Sequence, residues 1–268
     1  MSEGLDLEQI RRRLDRDCEL VLFEKTDSTN EQVLLKVRQG CVLPLACFAE
    51  EQTQGRGRRG KVWLSPADGS ICMSLAWKFE LPVNDLGCLS LAMGVAVARV
   101  LKNMGLQQVG LKWPNDVLLD DKKIAGILIE TSQITVQTTT AIIGIGLNYK
   151  LPVDLPDTQG QLWTDIVSSL GLGCQFGRNK VAGLLLQECM TVCENFAQAR
   201  HDLMLEYQQQ YDICLQRTVN VYLDNGRSMQ GIVVGFEASG EIRILIEGKE
   251  QLFNSADISL RKKSNVNN

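Results

Sequence analysis

Apolar runs separated by polar turns predict a chain of mixed helices and strands. In the first 200 residues, short runs rich in branched and small apolar residues predict strands, while apolar residues at helical spacing predict helices. The predicted strands are Leu20–Phe23, Leu45–Ala49, Ile71–Trp77, Val109–Trp113, Val117–Leu119 with Lys123–Glu130 as a hairpin, and Thr138–Asn148. The predicted helices are Leu7–Leu14, a helix ending at Gly40, Leu89–Met104, Leu162–Leu170, Val181–Phe196 and Leu203–Tyr211.

The pattern changes after Gln216, where short alternating runs follow one another closely. The predicted strands here are Val219–Leu223, Gln230–Phe236, Ile242–Ile246 and Gln251–Phe253, joined by Asn-Gly and Ser-Gly turns. Such spacing is typical of a small β-barrel. We therefore expect two domains, residues 1–216 and residues 217–268.

A cluster of helix-capping residues, Thr26–Glu31, precedes the helix that ends at Gly40. Glu31 stands three residues after Ser28, which predicts a capping box in which both side chains bond to the helix start. The same hydroxyls could instead bind a polar ligand. Both interpretations remain open from the residues alone.

Composition narrows the class of protein. The net charge of −4 argues against a general nucleic-acid binder. No signal peptide is recognised, and the most apolar helical run, Leu89–Val97, is too short to cross a bilayer. The nine cysteines, scattered without a C-x-x-C motif, predict reduced thiols in a cytoplasmic protein. With one histidine in the chain, His201, chemistry that relies on a histidine base is not expected.

A loop rich in glycine and arginine, within Glu50–Trp63, is the strongest chemical signal. Its glycines let backbone N–H groups approach a ligand, and its arginines suit phosphate or carboxylate. A dinucleotide fingerprint is rejected because Pro66 prevents the required helix, and a P-loop is rejected because no Gly-Lys-Ser/Thr follows. The loop is predicted to be a mobile cover for an anionic ligand. A solvated basic loop, or one that contacts RNA, remains the alternative.

Two lysines in apolar sequence, Lys112 and Lys123, flank Asn115 and Asp116. An ammonium in such surroundings needs a partner, so the hairpin is predicted to contribute to a site. The glycines of the strand end Gly144–Asn148 either let a ligand approach or allow close sheet packing.

Together these segments resemble the biotin–protein ligases from about Leu20 to Arg261. The motifs, in order, are Asp27-Ser-Thr-Asn30, Gln52 with the Gly-Arg loop to Trp63, Lys112-Trp-Pro-Asn-Asp116, Lys123-Ile-Ala-Gly126, and Gly144-Ile-Gly-Leu-Asn148. The resemblance implies an α+β catalytic domain related to class II aminoacyl-tRNA synthetases, followed by an SH3-like barrel.

The resemblance also implies a two-step reaction. Biotin and MgATP give biotinyl-5′-adenylate and pyrophosphate, and a lysine on the biotin carrier domain of acetyl-CoA carboxylase then attacks the adenylate. The magnesium ion would come with ATP, with no resident metal. Because adenylation is a displacement at phosphorus, positioning and charge neutralisation suffice without a nucleophilic side chain.

Roles implied by the family fall on matching positions of this chain. Ser28, Thr29 and Gln52 would hold the ureido head of biotin, Gly126 and Gly144 would face its apolar part, and Lys123 would meet its carboxylate. Gly55, Arg56 and Gly57 would belong to the loop that closes over biotin, and Lys123 and Arg58 would be catalytic. The nucleotide residues would be Arg58, Lys61, Trp63, Lys112, Asn115, Asp116 and Asn148, with Arg261 reaching the triphosphate.

Some family members carry an additional DNA-binding winged helix, for which the residues before Leu20 leave no room. We therefore expect neither DNA nor membrane binding, and the resemblance makes a homodimer an expectation. Two alternatives remain: a lipoate or octanoyl ligase of related fold, and a non-catalytic module that binds an adenylate or RNA.

Overall fold

The structure, a computed structural model, contains two β-sheets and a helical layer. It describes residues 4–152, 162–171, 174–223, 226–255 and 258–262. Within them the helices are α1 (Leu7–Arg11), α2 (Thr29–Arg38), α3 (Leu89–Asn103), α4 (Ile166–Leu170) and α5 (Arg178–Glu206).

The first sheet has seven strands in the order β1-β2-β3-β7-β6-β5-β4. Strands β1 and β2 pair in parallel, and the other neighbours are antiparallel. Their bounds are β1 (Glu19–Thr26), β2 (Leu45–Gln52), β3 (Ser70–Phe79), β4 (Val109–Lys112), β5 (Asp116–Leu119), β6 (Lys122–Thr135) and β7 (Thr138–Asn148).

The second sheet has five strands in the order β11-β10-β9-β8-β12 and begins at Thr218. Its strands are β8 (Thr218–Leu223), β9 (Ser228–Phe236), β10 (Ile242–Ile246), β11 (Lys249–Phe253) and β12 (Ile258–Lys262). Strand β12 was absent from the sequence prediction. The predicted turn before Gly226 lies partly outside the described residues.

The helix α3 fills the core between the first sheet and α5. Its small residues Ala92, Gly94, Ala96 and Ala98 are buried, which permits close packing. Residues Val83–Asn103 are long and apolar enough to cross a membrane, yet 67% of the most apolar 18-residue stretch is buried in the fold, as in a core helix. Contrary to the sequence argument, the length of this segment therefore does not exclude a membrane span. Its burial in the fold explains why the run is apolar.

Two helices predicted from the sequence are one. The segment between Phe196 and Leu203 continues α5, which then widens into a short π-helical turn, Tyr207–Tyr211. Residues Ala197–Asp202 include no glycine or proline, so nothing in them ends a helix. All nine cysteines are free thiols, most of them buried.

The buried guanidinium of Arg178 ties the start of α5 to the first sheet. It donates to the carbonyl of Ser70 on β3 (2.6 Å from Nη2) and pairs with Glu50 on β2. Its side chain is 2% exposed. Because a charge buried this deeply requires partners, the pair fixes the helix against the strand that leads to the Gly-Arg loop.

The two sheets also contact each other. The indole Nε1 of Trp113, just after β4, donates to the carbonyl of Gly240 in the β9–β10 turn (3.1 Å). Gly87 packs so closely on Ser239 that an added Cβ would lie 2.0 Å from the Ser239 carbonyl oxygen. The β4–β5 hairpin is therefore held from the side of the second sheet.

Candidate active site

A cavity of ≈ 160 Å³ lies where the start of α2, the end of β2, the Gly-Arg loop and the β4–β5 hairpin meet strands β6 and β7. Most of the predicted site residues line it. They are Ser28, Thr29, Gln52, Arg56, Gly57, Arg58, Lys61, Trp63, Lys112, Asn115, Asp116, Lys123, Gly126 and Gly144. Of the remaining predictions, Gly55 and Asn148 are not among the lining residues, and the side chain of Arg261 lies outside what the structure describes.

At one end of the cavity, which we call the head end, Thr29, Asn30, Gln52 and Ser74 form a connected polar cluster beside Ser28. The backbone N–H and the hydroxyl of Thr29 both donate to Oε1 of Gln52 (2.8 and 3.1 Å). Ser74 Oγ lies 2.7 Å from Thr29 Oγ1 and 2.5 Å from Asn30 Oδ1. Because each of these side chains bonds to a neighbour, the bonds within the head end do not need a ligand.

The capping box predicted at Ser28 and Glu31 does not form. Ser28 occupies the N-cap position of α2, but its side chain makes no capping bond. Asp27 instead accepts from the Ser28 N–H and from Nε2 of Gln32 (3.1 Å), bonds that lower the pKa of its carboxyl. Ser28 lines the cavity at the head end, so this residue lies both at the start of the helix and at the cavity.

The structure gives Gly144 a neighbour that the sequence did not indicate. A Cβ added to Gly144 would lie 2.3 Å from Oδ1 of Asn30. Asn30 is 3% exposed, and its Nδ2 donates to Glu130 Oε2 (2.8 Å). The glycine at position 144 is therefore needed for a protein amide, whatever it does for a ligand.

The Gly-Arg loop folds into a compact turn over the cavity. The N–H of Gly57 donates to the Lys61 carbonyl (2.7 Å), and the N–H of Trp63 donates to the Gly55 carbonyl (2.9 Å). A Cβ on Gly55 would meet the Trp63 carbonyl at 2.4 Å, so this glycine shapes the turn. The mobility predicted for the loop without ligand stays a prediction.

The arginines of the loop reach across the cavity in different directions. Arg56 pairs with Glu31 on α2 (2.7 Å) and Glu130 on β6 (2.9 Å). Arg58 donates to the carbonyl of Ser255, beyond β11 (2.5 Å), and burial lowers the pKa of its guanidinium. The loop is thus fastened to the first sheet by one arginine and to the second by another.

At the opposite end of the cavity, which we call the cationic end, Lys123 is enclosed by Asp116, Trp63 and Trp163. Its Nζ lies 2.5 Å from Asp116 Oδ1 and 5.5 and 5.6 Å from the Trp63 and Trp163 ring centroids. The Lys123 and Asp116 side chains are 13% and 18% exposed. The low local polarity strengthens any interaction that the ammonium makes with an anion.

Trp63 lies over the glycines of the central strands. A Cβ on Gly126 would meet its ring at 2.9 Å, and one on Gly146 at 2.2 Å. The indole packs edge to face against Trp163, with ring centroids 5.6 Å apart. Its predicted role in binding the nucleotide is untested, and its position brings it beside the strand backbones expected to face the apolar part of biotin.

The indole N–H groups of Trp63 and Trp163 are buried and have no hydrogen-bond partner within the described ranges. Buried indole donors normally find an acceptor. Since no acceptor is found among the described residues, the cationic end is the part of the cavity where bonding capacity remains.

A short segment, residues 162–164, is attached to the start of β6. The Lys123 N–H donates to the Leu162 carbonyl (2.8 Å), and the Thr164 N–H donates back to the Lys123 carbonyl (3.0 Å). Asn148 Nδ2 donates to the Thr164 carbonyl (3.0 Å). Asn148 thus holds this segment, and with it Trp163, against Lys123.

The β4–β5 hairpin is supported from behind. Asn115 Nδ2 donates to the Ile127 carbonyl on β6 (2.9 Å), and the Ile213 N–H donates to the Leu111 carbonyl on β4 (3.1 Å). Beside it, burial raises the pKa of Asp212 to about 6, while its Oδ1 accepts from the Cys214 N–H (2.8 Å).

Sequence reasoning missed four residues that shape the cavity: Asn30, Ser74, Glu130 and Trp163. Asn30 stood in the capping cluster but was read as part of a motif without a role of its own. The others occur singly in a strand or loop, and their importance comes from tertiary contacts that no local pattern encodes.

Comparisons with known proteins agree on one family. The model of the Biotin/lipoate A/B protein ligase family matches residues 22–148. The bifunctional ligase/repressor BirA of Escherichia coli is 32% identical over 258 residues, covering 96% of this chain and 78% of BirA. The biotin–[acetyl-CoA-carboxylase] ligase of Mycobacterium tuberculosis is 31% identical over 246 residues, covering 90% of this chain and 88% of the relative.

Solved structures lead to the same family. The biotin protein ligase from Aquifex aeolicus in complex with biotin and ATP aligns with a TM-score of 0.75 and 26% identity. The alignment covers 91% of this chain and 99% of that protein.

Proposed function

The chain belongs to the biotin–protein ligases of the Biotin/lipoate A/B protein ligase family, and we propose that the cavity described above is where it joins biotin to AMP. It is a biotin–[acetyl-CoA-carboxylase] ligase, which forms biotinyl-5′-adenylate with ATP and transfers biotin to a carboxylase carrier. The observation that carries the assignment to this cavity is the meeting of a fixed polar end and an enclosed ammonium under one arginine loop.

Biotin would lie with its ureido group at the head end. A ureido group offers one carbonyl acceptor and N–H donors, which the Ser28 hydroxyl, the Thr29 hydroxyl and the Gln52 amide can match. Its carboxylate would then point to Lys123, passing the backbones of Gly126 and Gly146. The ammonium would exchange Asp116 for the biotin carboxylate and hold it in line with the α-phosphate.

ATP would occupy the side of the cavity formed by Lys112, Asn115, Asp116 and the loop cations Arg58 and Lys61. These cations would stabilise the charge that develops on the phosphate oxygens as pyrophosphate leaves. Closure of the loop would keep water from the mixed anhydride until the carrier lysine attacks.

Magnesium would enter with ATP. Among the residues that the structure describes, no group of three or more His, Cys, Asp or Glu side chains could hold a metal ion. The Asp116 carboxylate and the Asn115 side-chain carbonyl are oxygen donors at the nucleotide side, and Mg²⁺ typically takes one or two protein oxygens together with phosphates. This donor set fits an ion carried by the nucleotide, which would neutralise phosphate charge.

Several finer features belong to the proposal. We assign the first sheet to a catalytic domain of the class II synthetase type, residues 1–216, and the second to an SH3-like domain, residues 217–268. The absence of DNA and membrane binding, a cytoplasmic location and a homodimer remain predictions; a salt-sensitive, sequence-specific shift of an operator fragment would contradict the first.

The test is to mix the protein with biotin, MgATP and a biotin carrier domain, and to follow pyrophosphate release and avidin-detectable acceptor. Parallel reactions with lipoate and octanoate separate the related ligases. Labelling of the acceptor with biotin, and not with lipoate or octanoate, supports the proposal. Binding of adenylate without pyrophosphate release would instead indicate a non-catalytic module.

A further inference from the structure

Glu130 on β6 joins the Gly-Arg loop to the head end through a single carboxylate. Its Oε2 accepts from Asn30 Nδ2 (2.8 Å) and from Arg56 Nη2 (2.9 Å), and its Oε1 also faces Arg56 Nη2 (3.1 Å). One partner belongs to the loop and the other to the buried cluster, so the carboxylate bridges both.

The Asn30 amide transmits the position of Glu130 into the head end. Asn30 contacts Ser74 on one side, and Ser74 contacts the Thr29 hydroxyl that donates to Gln52. The amide lies so close to β7 that a Cβ added to Gly144 would be 2.3 Å from its Oδ1. A change at Glu130 would therefore reorient the groups proposed to bind the ureido head.

Arg56 has a second carboxylate partner that provides an internal comparison. Glu31 lies 2.7 Å from Arg56 Nη1 and is exposed to a similar degree as Glu130, with side chains 40% and 32% exposed. Glu31 holds the loop, yet its described contacts do not include the Asn30 amide. An exposed ion pair contributes little by itself, so the shared contact with Asn30 is what would distinguish Glu130.

We propose that Glu130 is a positioning residue that couples closure of the loop to the geometry of the biotin head site. With the loop closed, Arg56 holds the carboxylate where it accepts from Asn30, and Asn30 holds Ser74 and Thr29 in the binding arrangement. With the loop open, the carboxylate is released from Arg56 and the head site loses part of its support. The inference rests on the proposed function of this cavity.

The test compares biotin affinity, by titration calorimetry, and the lifetime of bound biotinyl-5′-adenylate in matched variants. Glu31→Ala and Glu130→Ala both remove a loop contact, but only Glu130→Ala removes the acceptor of Asn30. We expect Glu130→Ala to weaken biotin binding roughly tenfold more than Glu31→Ala, or beyond, as for one lost charged hydrogen bond. Glu130→Gln keeps an oxygen acceptor for Asn30 and should match Glu31→Gln.

The Arg56→Ala background separates coupling from loop fastening. There, Glu31→Ala should have no further effect on affinity, whereas Glu130→Ala should weaken it by less than in the unaltered protein, because Arg56 no longer positions the carboxylate. An undiminished effect of Glu130→Ala in this background would show that Glu130 acts independently of the loop and would overturn the inference. Equal effects of the two substitutions in both backgrounds, or a Glu130→Gln loss as large as that of Glu130→Ala, would overturn the inference while leaving the function intact. Failure of the unaltered protein to bind biotin would overturn the proposed function as well.

Discussion

The head end and the cationic end of the cavity satisfy their polar groups in different ways. At the head end, Thr29, Asn30, Gln52 and Ser74 bond to one another and need no ligand to hold them. At the cationic end, Lys123 depends on one carboxylate, and two buried indole N–H groups have no acceptor among the described residues. The polar groups of the head end are bonded to one another, whereas the cationic end keeps hydrogen-bond donors for a ligand.

This difference matches what each end would have to do. A neutral ureido group is recognised by donors and acceptors whose positions are fixed in advance, because little ordering remains to be done on binding. The biotin carboxylate changes its charge during the reaction because it becomes part of an anhydride. Lys123 must therefore change its ionic partner. Replacing the Asp116 ion pair by one with the ligand keeps the ammonium paired throughout, which avoids leaving a buried charge alone.

The largest expected effect is at the cationic end. Lys123→Ala should slow adenylate formation by raising its activation free energy by ~1.5–3 kcal/mol or more, because a charged hydrogen bond to the reacting carboxylate is lost. Pyrophosphate release in single-turnover reactions measures this. Lys122→Ala removes the neighbouring, exposed lysine of β6 and should leave the rate unchanged; equal losses for both would contradict the role of Lys123.

The head end should respond in binding rather than in rate. Gly144→Ala introduces a Cβ against Asn30, which Ser74 and Glu130 prevent from moving. Overpacking of this kind costs about 1–3 kcal/mol, so biotin affinity should fall about tenfold. Gly94→Ala in α3, whose Cβ meets Leu111 methyls at 3.4 Å, is the control. Unchanged affinity in Gly144→Ala would show that the head end is not rigid.

The support behind the hairpin should appear as a pH dependence of stability. The pKa of Asp212 is raised to about 6 by burial, so the folded state holds a proton that the unfolded chain has already lost. Stability from this group is therefore present below about pH 4 and is lost as the pH rises to about 6. Asp212→Asn should remove a decline on the order of 2 kcal/mol in the free energy of unfolding. Denaturant titrations of the protein and this variant at pH 4 and 7 measure the free energy of unfolding. If the variant differs from the protein by the same free energy at both pH values, the prediction is contradicted.

The smallest expected effect concerns the aromatic wall. Trp163→Phe keeps a ring beside Lys123 but gives it a smaller contact with Trp63. We expect this to weaken the aromatic interaction by about 0.5–1.5 kcal/mol. We expect the KM for ATP to rise about two- to tenfold, with a smaller loss of biotin affinity. Trp77→Phe, on β3, is the control outside the cavity. A larger effect on biotin than on ATP would assign this wall to the other substrate.

Local patterns predicted much of this molecule because most elements obey them. Strand Thr138–Asn148 has the bounds that its apolar run predicts, and α3 differs from its prediction by one residue. Motif spacing also identified most of the cavity lining, since loops and strand ends carry those residues in short blocks.

The errors arise where tertiary contacts override local chemistry. Ser28 and Glu31 have the spacing of a capping box, yet Glu31 pairs with Arg56 from a distant loop. Asn148, whose role at the nucleotide stays a prediction, also fastens the segment that carries Trp163, a contact that its place in the chain does not indicate. Glu130 could not be singled out because its partners are 74 and 100 residues away in the chain.

The most direct test of the account is a crystal structure of the protein with biotin and a non-hydrolysable ATP analogue. We predict the ureido group against Ser28, Thr29 and Gln52 with those side chains unmoved, and Lys123 turned from Asp116 to the biotin carboxylate. Ligand bound elsewhere while the Lys123–Asp116 pair remains intact would contradict it.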